Sequence, residues 1–333
     1  MKHSSESLEI KEEKIITSLP YPTGWFALGE SSELGHGKVL PKKIMGKDLV
    51  IFRTHSGIVS ALDAYCPHLG AHLGHGGQVK GELLQCPFHH LCFDAQGICS
   101  QPNLPKAKSW HVREINGMIL VYYSGPNKIN PVWEVPNLSS EGWTKPIVHN
   151  FHLLTHPQEV VENSVDVSHA AALHGFKSMN LIDKIKTEDH KLNMKYKFRE
   201  TLDFAGFRQN APFSEFNITS WGLGYLLIEV SIPVYGLHSR FSLFTSPTEK
   251  GYSDLRLVFS ACEHFDRKKM HSFLGIFPHS FVSKLIFRVM VKKFITTLKE
   301  DFVIWENKQY VSQIFSDGPL LEYRKWAQQF YNY

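Results

Sequence analysis

Charge of one sign is the first thing this chain lacks. Across 333 residues, 36 Lys and Arg stand against 32 Asp and Glu, a formal net charge of +4. The cations are dispersed along the chain and form no basic stripe, which argues against nucleic acid as a partner. Cysteine is scarce as well, with five in the chain. Cys66 and Cys86 fall in a motif described below, and Cys92, Cys99 and Cys262 remain, an odd number without framework spacing. That pattern fits a reducing compartment, and the chain reads as cytoplasmic. No apolar run is long enough to span a bilayer, because the most apolar late segment, 273–295, is interrupted by Pro278, His279, Lys284, Arg288, Lys292 and Lys293. The spacing of Phe281, Leu285, Ile286, Val289 and Phe294 among those cations predicts a helix with one face on the core and one in water. The same spacing also suits peripheral contact with a membrane surface, the less favoured of the two readings. Met1 to Lys14 is polar and acidic, without the apolar stretch of a secretory signal, and residues 1–19 read as a disordered tail.

Two differently patterned parts make up the rest. From Gly24 to Ser124 short apolar runs, Trp25–Leu28, Leu49–Phe52, Ile58–Leu62 and Met118–Tyr123, are separated by glycines, prolines and charged pairs, which predicts a small antiparallel β domain over 20–130. A proline-rich passage from Gly125 to Pro136 reads as a linker, with the boundary near Asn130. Beyond it, 131–333 alternates strand-like stretches (Ile147–Leu154, Met194–Phe204, Phe216–Ser220, Tyr225–Ile232, His238–Thr245, Leu255–Ala261) with helical patterns at Pro157–His174, Phe281–Tyr310 and Leu320–Tyr331. The expectation is an α+β fold, with an N-terminal antiparallel β domain followed by an antiparallel sheet wrapped by helices.

Within the first part, Cys66-Pro67-His68 is followed after seventeen residues by Cys86-Pro87-Phe88-His89. Two thiolates and two imidazoles in matching short loops make a metal site. Zinc sites pair Cys with Cys and His with His, whereas here each pair is mixed. A Rieske 2Fe-2S cluster requires that mixed division, with cysteines on one iron and histidines on the other. Gly70, Gly74, Gly76 and Gly77 allow the close backbone approach a cluster needs. His72 and His75, in the spacer, read as solvated groups or as supports behind the ligands.

A second constellation lies in the helical run. Asp166 and His169 are three apart and share a helix face. His174 is five beyond His169, so the helix must distort or end for both imidazoles to converge, and Gly175 supplies a stop. Two histidines plus a carboxylate, with coordination positions left open, form the facial triad of non-haem iron(II).

On these residues the chain resembles the terminal oxygenase subunits of the Rieske non-haem iron oxygenases, a match spanning about Trp25 to Tyr331. The resemblance implies that Cys66 and Cys86 hold one cluster iron and His68 and His89 the other, and that His169 and His174 bind the catalytic Fe(II). It places the third ligand in the late acidic pair, where Asp301 is preferred because it shares a helix face with Leu298 and Trp305, and Glu300 is the runner-up. It further implies a ring of three subunits, with Asp166 bridging a cluster histidine of one subunit and an iron histidine of its own. The stretches 301–308 and 319–331 resemble the ends of 3-ketosteroid 9α-hydroxylase oxygenases and cholesterol 7-desaturases, which implies a bulky apolar ring substrate oxidised with O2, in a pocket drawn from Phe216–Leu227 and His238–Phe244. A small aromatic or other ring compound is the alternative substrate.

Since no dinucleotide fingerprint G-x-G-x-x-G follows a strand, electrons must come from a separate NAD(P)H-dependent reductase, directly or through a ferredoxin. The chain departs from the family at His90 and Leu91, where glycine and tryptophan are usual, and His90 competes with His89 as a ligand. An electron-transfer Rieske protein is the reading from another class. Such proteins brace the cluster loops with a disulfide, and Ala71 and Phe88 occupy the positions where its cysteines would stand.

Overall fold

A computed structural model of the chain describes residues 19–126, 130–176, 179–199, 201–204, 207–210, 212–263, 265–266, 268, 276–311 and 318–331. The tail expected over 1–19 lies outside the described residues except for Leu19.

Short apolar runs between turn residues become short strands. β1 (Gly24–Glu30), β2 (Val39–Ile44), β3 (Lys47–Arg53), β4 (Val59–Asp63), β5 (Gln78–Lys80), β6 (Leu83–Gln85), β7 (Cys92–Phe93), β8 (Val112–Ile115) and β9 (Met118–Tyr123) pair antiparallel in three sheets, β1-β9-β8, β2-β3-β4 and β5-β6-β7. Asn116-Gly117 turns β8 into β9 with φ of 53° and 75°, the two positive values a two-residue hairpin turn requires. Phe26, Leu49, Ile51, Ile119 and Val121 fill one core of this unit. A second core, with Phe52, Leu62, Leu84 and Phe93, sits directly behind Cys66 and Cys86.

The second unit is one large antiparallel sheet. β10 (Ile147–Leu154), β11 (Asn180–Leu181), β12 (Lys186–Glu188), β13 (Lys191–Phe198), β16 (Ser214–Trp221), β17 (Tyr225–Ile232), β18 (Leu237–Pro247) and β19 (Tyr252–Ala261) run in the order β10-β19-β18-β17-β16-β13-β11, with β12 also on β13. β14 (Thr201–Phe204) and β15 (Phe207–Asn210) form a separate hairpin, so the single strand expected over Met194–Phe204 is divided between β13 and β14. Alternation along the strands gives the sheet two apolar faces. One, with Leu192, Met194, Leu226, Leu243 and Leu257, packs under α1 (Pro157–Val165), α3 (His279–Trp305) and α4 (Pro319–Ala327). The other, with Tyr225, Leu227 and Phe244, packs against Trp25, Leu120 and Tyr122 of the first unit.

The expected helical run over Pro157–His174 is two helices, not one. α1 ends at Val165 and α2 (Val167–Ala172) begins after Asp166, whose φ of −80° and ψ of 94° are extended. Asp166 closes one helix and caps the next, since its carboxylate accepts hydrogen bonds from the backbone N–H of Ser168 and His169. Residues 125–126 and 130–136 are irregular, and at Trp133 they are tied into the fold. Trp133 is buried, its carbonyl accepts a 2.8 Å hydrogen bond from Trp25 Nε1, and its ring stacks on His190 at 4.7 Å.

The C-terminal segment straps α1 in place. Arg324 makes two hydrogen bonds to the Glu162 carboxylate, 2.7 and 2.8 Å, and Lys308 pairs with the buried Glu159. Tyr323 Oη donates to the Gln158 carbonyl at 2.6 Å, and Tyr331 Oη to the Gln158 side chain at 2.8 Å. α1 thereby carries its buried acids on the strap's cations, and its end at Val165 is held where the site begins. Among the described residues no helix is long and apolar enough to cross a membrane.

Candidate metal centres and substrate cavity

Two loops at one edge of the first unit share a single backbone pattern. In the first, the Cys66 N–H donates to the Ala71 carbonyl and the Gly70 N–H to the Cys66 carbonyl; in the second, Cys86 N–H donates to Leu91 and His90 N–H to Cys86. Gly70 and His90 occupy the same place in this pattern, and both have positive φ, 74° and 56°. The loop shape survives the replacement of glycine by histidine, at the strain a side chain meets in that region. The two sulfurs are buried, and burial beside Cys86 raises the Cys66 thiol above its ordinary range. The imidazoles of His68 and His89 face each other at the surface, 4.8 Å between ring centres. His89 rather than His90 therefore meets His68. Thiolates inside and imidazoles outside suit a cluster with one protected and one exposed iron.

The second centre is assembled from three elements. α2 ends at Ala172, the chain turns, and Gly175 takes φ of 69°, which brings His174 back toward His169 as the five-residue spacing demanded. From the far end of the chain, α3 brings Asp301 between them. His169 Nε2 is 3.7 Å and His174 Nε2 3.3 Å from Asp301 Oδ1, and the candidate ligand atoms all lie within 4.8 Å of one another.

These groups fit a cation on observations of the site itself. His169 Nδ1 lies 2.5 Å from the Asp166 carbonyl, so that nitrogen must carry the proton. His174 Nδ1 lies 2.8 Å from Glu300 Oε2, which demands the same tautomer. Both Nε2 lone pairs then point at one spot, and the buried Asp301 Oδ1 beside it has no hydrogen-bond partner. Burial alone would pull the His174 ring toward neutrality, but the carboxylates of Asp301 and Glu300 outweigh it and raise its pKa. Asp301 and Glu300 bring two carboxylates to the histidine pair, a donor set that a divalent cation would balance.

Asp166, expected to bridge two histidines through its carboxylate, uses Oδ1 to cap α2, His169 N–H included, and to accept from Ser168 Oγ at 2.5 Å; its contact with the His169 imidazole runs through its backbone carbonyl. Glu300, the runner-up ligand, is instead the partner behind His174.

A cavity of about 450 Å³ opens from the triad into the core of the second unit. Its walls away from the histidines include Phe198, Phe216, Ile228, Phe241, Met290 and Phe294. β16, β17 and β18 contribute as the sequence suggested. The wall supplied by α3 was missed, although Met290, Phe294 and Thr297 precede Asp301 by eleven, seven and four residues, the spacing of one helix face.

Solved structures share this architecture. A dicamba monooxygenase bound to dicamba superposes with a TM-score of 0.63 at 18% identity, covering 92% of this chain and 96% of that one. Pseudomonas putida NdmA with caffeine gives 0.65 at 18% identity, covering 91% and 89%. Residues 24–114 match the Rieske [2Fe-2S] domain, and residues 122–331 match the 3-ketosteroid 9α-hydroxylase C-terminal domain. The chain belongs to the Rieske non-haem iron oxygenases, in the group carrying that C-terminal domain. It is an O2-dependent oxidoreductase whose cofactors are a 2Fe-2S cluster and a non-haem iron, and the family receives its electrons from a reductase or ferredoxin. Among sequence relatives, a cholesterol 7-desaturase of Bombyx mori is 28% identical over 94% of this chain and 70% of its own length. A probable 3-ketosteroid-9-alpha-monooxygenase oxygenase component of Rhodococcus rhodochrous is 26% identical over 93% and 80%.

Proposed function

We propose that this chain is the terminal oxygenase for a sterol or 3-ketosteroid, which it hydroxylates or desaturates. The observation that carries the reading is the apolar cavity of about 450 Å³ ending on the His169–His174–Asp301 triad. A fused-ring apolar skeleton is held by such walls through burial and shape, with the oxidised carbon presented to the triad. The similarity to the desaturase and monooxygenase named above supports the same class of substrate.

Cys66, Cys86, His68 and His89 would hold the cluster, and His169, His174 and Asp301 the iron. Bound there, the cluster supplies electrons and the iron supplies dioxygen activation. The chain's own residues do the rest. The Asp166 carbonyl and Glu300 fix both imidazoles with Nε2 inward, and the aromatic walls exclude water from the reacting carbon.

The remaining parts of the proposal are a cytoplasmic homotrimer, two units divided near Asn130, and an NAD(P)H-dependent reductase or ferredoxin as donor. Support for the trimer comes from the cluster edge, where Leu69 and Phe88 stand 65% and 60% exposed beside the paired imidazoles. A neighbouring subunit that covers them would bring its own Asp166 and iron within electron-transfer reach.

The test is anaerobic loading with iron, reduction by a surrogate reductase, admission of O2, and mass spectrometry of products from sterols, 3-ketosteroids and aromatic acids. Oxidised steroid is expected; products from aromatic acids alone would overturn the substrate assignment. Asp301→Ala should lose mononuclear iron and turnover while keeping the cluster's absorption, and full iron and activity in that variant would overturn the ligand assignment.

A further inference from the structure

The outer side of α3 is unlike an ordinary solvated helix face. Phe281, Leu285 and Val289 are 56%, 51% and 59% exposed and, spaced four apart, form one stripe. Ile276, 76% exposed, stands just before the helix. Lys284, Arg288 and Lys292 lie between and beside these side chains, all exposed. From residue 267 to residue 299 there is no Asp or Glu. The stripe therefore offers insertable apolar groups and cations together, with no anion of its own sequence segment to neutralise them. The opposite side of the same helix, through Met290, Phe294 and Leu298, is a wall of the cavity.

We propose that this face of α3 docks the protein on an anionic lipid bilayer. Charge decides the occupant. In the ring of three proposed above each contact runs from the cluster edge of one subunit to the Asp166 side of the next and does not call on this stripe, and α3 packed on α3 about a two-fold axis would bring the same cations against themselves; an anionic bilayer presents negative head groups over an apolar interior and meets both features of the stripe at once. The helix would lie in the plane of the interface with Phe281, Leu285 and Val289 among the acyl chains and the cations at the phosphates. Sterols reside in bilayers because they scarcely dissolve in water, so docking through the helix that walls the cavity would shorten the route from membrane to iron. That last consequence rests on the substrate class proposed above; the docking itself does not.

The test is flotation of the cluster- and iron-loaded protein with sterol-free vesicles, either phosphatidylcholine alone or phosphatidylcholine with about one-third phosphatidylserine, at low and high salt. The protein should float with the anionic vesicles and be released by salt. K284E/R288E and F281S/L285S should each weaken that binding about tenfold or more, and K145E, a charge reversal elsewhere on the surface, should not. All three variants change exposed positions, and retained cluster absorption verifies their folding. Equal flotation with both kinds of vesicle, or none with either, would overturn the proposal. So would F281S/L285S altering the subunit number by light scattering while leaving vesicle binding intact. Because the vesicles hold no sterol, a failure here leaves the substrate reading standing, and a failure of steroid turnover in detergent leaves the docking standing.

Discussion

Replacing Glu300 isolates the carboxylate that the sequence marked as runner-up ligand and that is hydrogen-bonded to His174, one of the proposed iron ligands. Glu300 Oε2 accepts the His174 Nδ1 proton at 2.8 Å, with the histidine side chain 5% exposed and the glutamate 47%. A hydrogen bond to a charged acceptor contributes about 1.5–3 kcal/mol. Water can replace a half-exposed acceptor, so the low end applies, and 1.4 kcal/mol corresponds to about tenfold in affinity. Glu300→Ala should therefore weaken iron binding by about tenfold, at the lower edge of what supports behind metal-bound histidines are worth. Glu300→Gln keeps an oxygen that can accept the proton and should recover most of that loss. The assay is iron retention against chelators of graded strength, with cluster absorption as the internal control. Unchanged retention in Glu300→Ala would refute the positioning role. Complete loss of iron, matching Asp301→Ala, would refute it in the other direction and make Glu300 itself a ligand.

Two further outcomes follow from buried groups away from the iron. Arg324→Ala leaves Glu162 without its bidentate partner at a site where both side chains are about nine-tenths buried; urea unfolding should show a loss of about 3 kcal/mol, and a loss below about 1 kcal/mol would mean that the strap does not hold α1. His156, the N-cap of α1, is fully buried, and burial lowers its pKa to about 4 despite the Pro20 carbonyl beside it. The folded value lies below the unfolded one, so this contribution is intact above about pH 6.5 and is lost as pH falls toward 4, by roughly 3 kcal/mol in all. Unfolding measured at pH 7, 5.5 and 4.5 should show a shallower decline in His156→Asn, and parallel declines in wild type and variant would refute the assignment.

The Rieske domain was legible because the motif that marks it is local. Each loop is a short turn whose geometry follows from the spacing of Cys, Pro, His and the residue at positive φ, so Cys66-Pro67-His68 and Cys86-Pro87-Phe88-His89 declare themselves without the rest of the fold. The strands were legible for a similar reason: alternation and turn residues act over a few positions, and β10 and β17 fall where expected, at Ile147–Leu154 and Tyr225–Ile232. Elsewhere a local preference yields to a distant partner. Periodicity over 157–174 suggested one helix, but Asp166 as cap divides it so that His169 and His174 can turn toward α3. Gly125 to Pro136 carried linker chemistry, and within it Trp133 is buried against Trp25 and His190.

By itself, then, the sequence marked the cluster loops, the closely spaced pair of histidines, the strand pattern and the late acidic pair, because each is written in residues a few positions apart. Only the tertiary structure decided which member of that pair enters the site. Glu300 and Asp301 are neighbours in the chain, a helix turns them about 100° apart, and the sheet beneath α3 sets which of the two is buried. The cavity was decided at the same level, since its walls come from β13, β16–β18 and α3, segments with no local signal of one another, brought together by the burial of the same apolar faces that hold the domain.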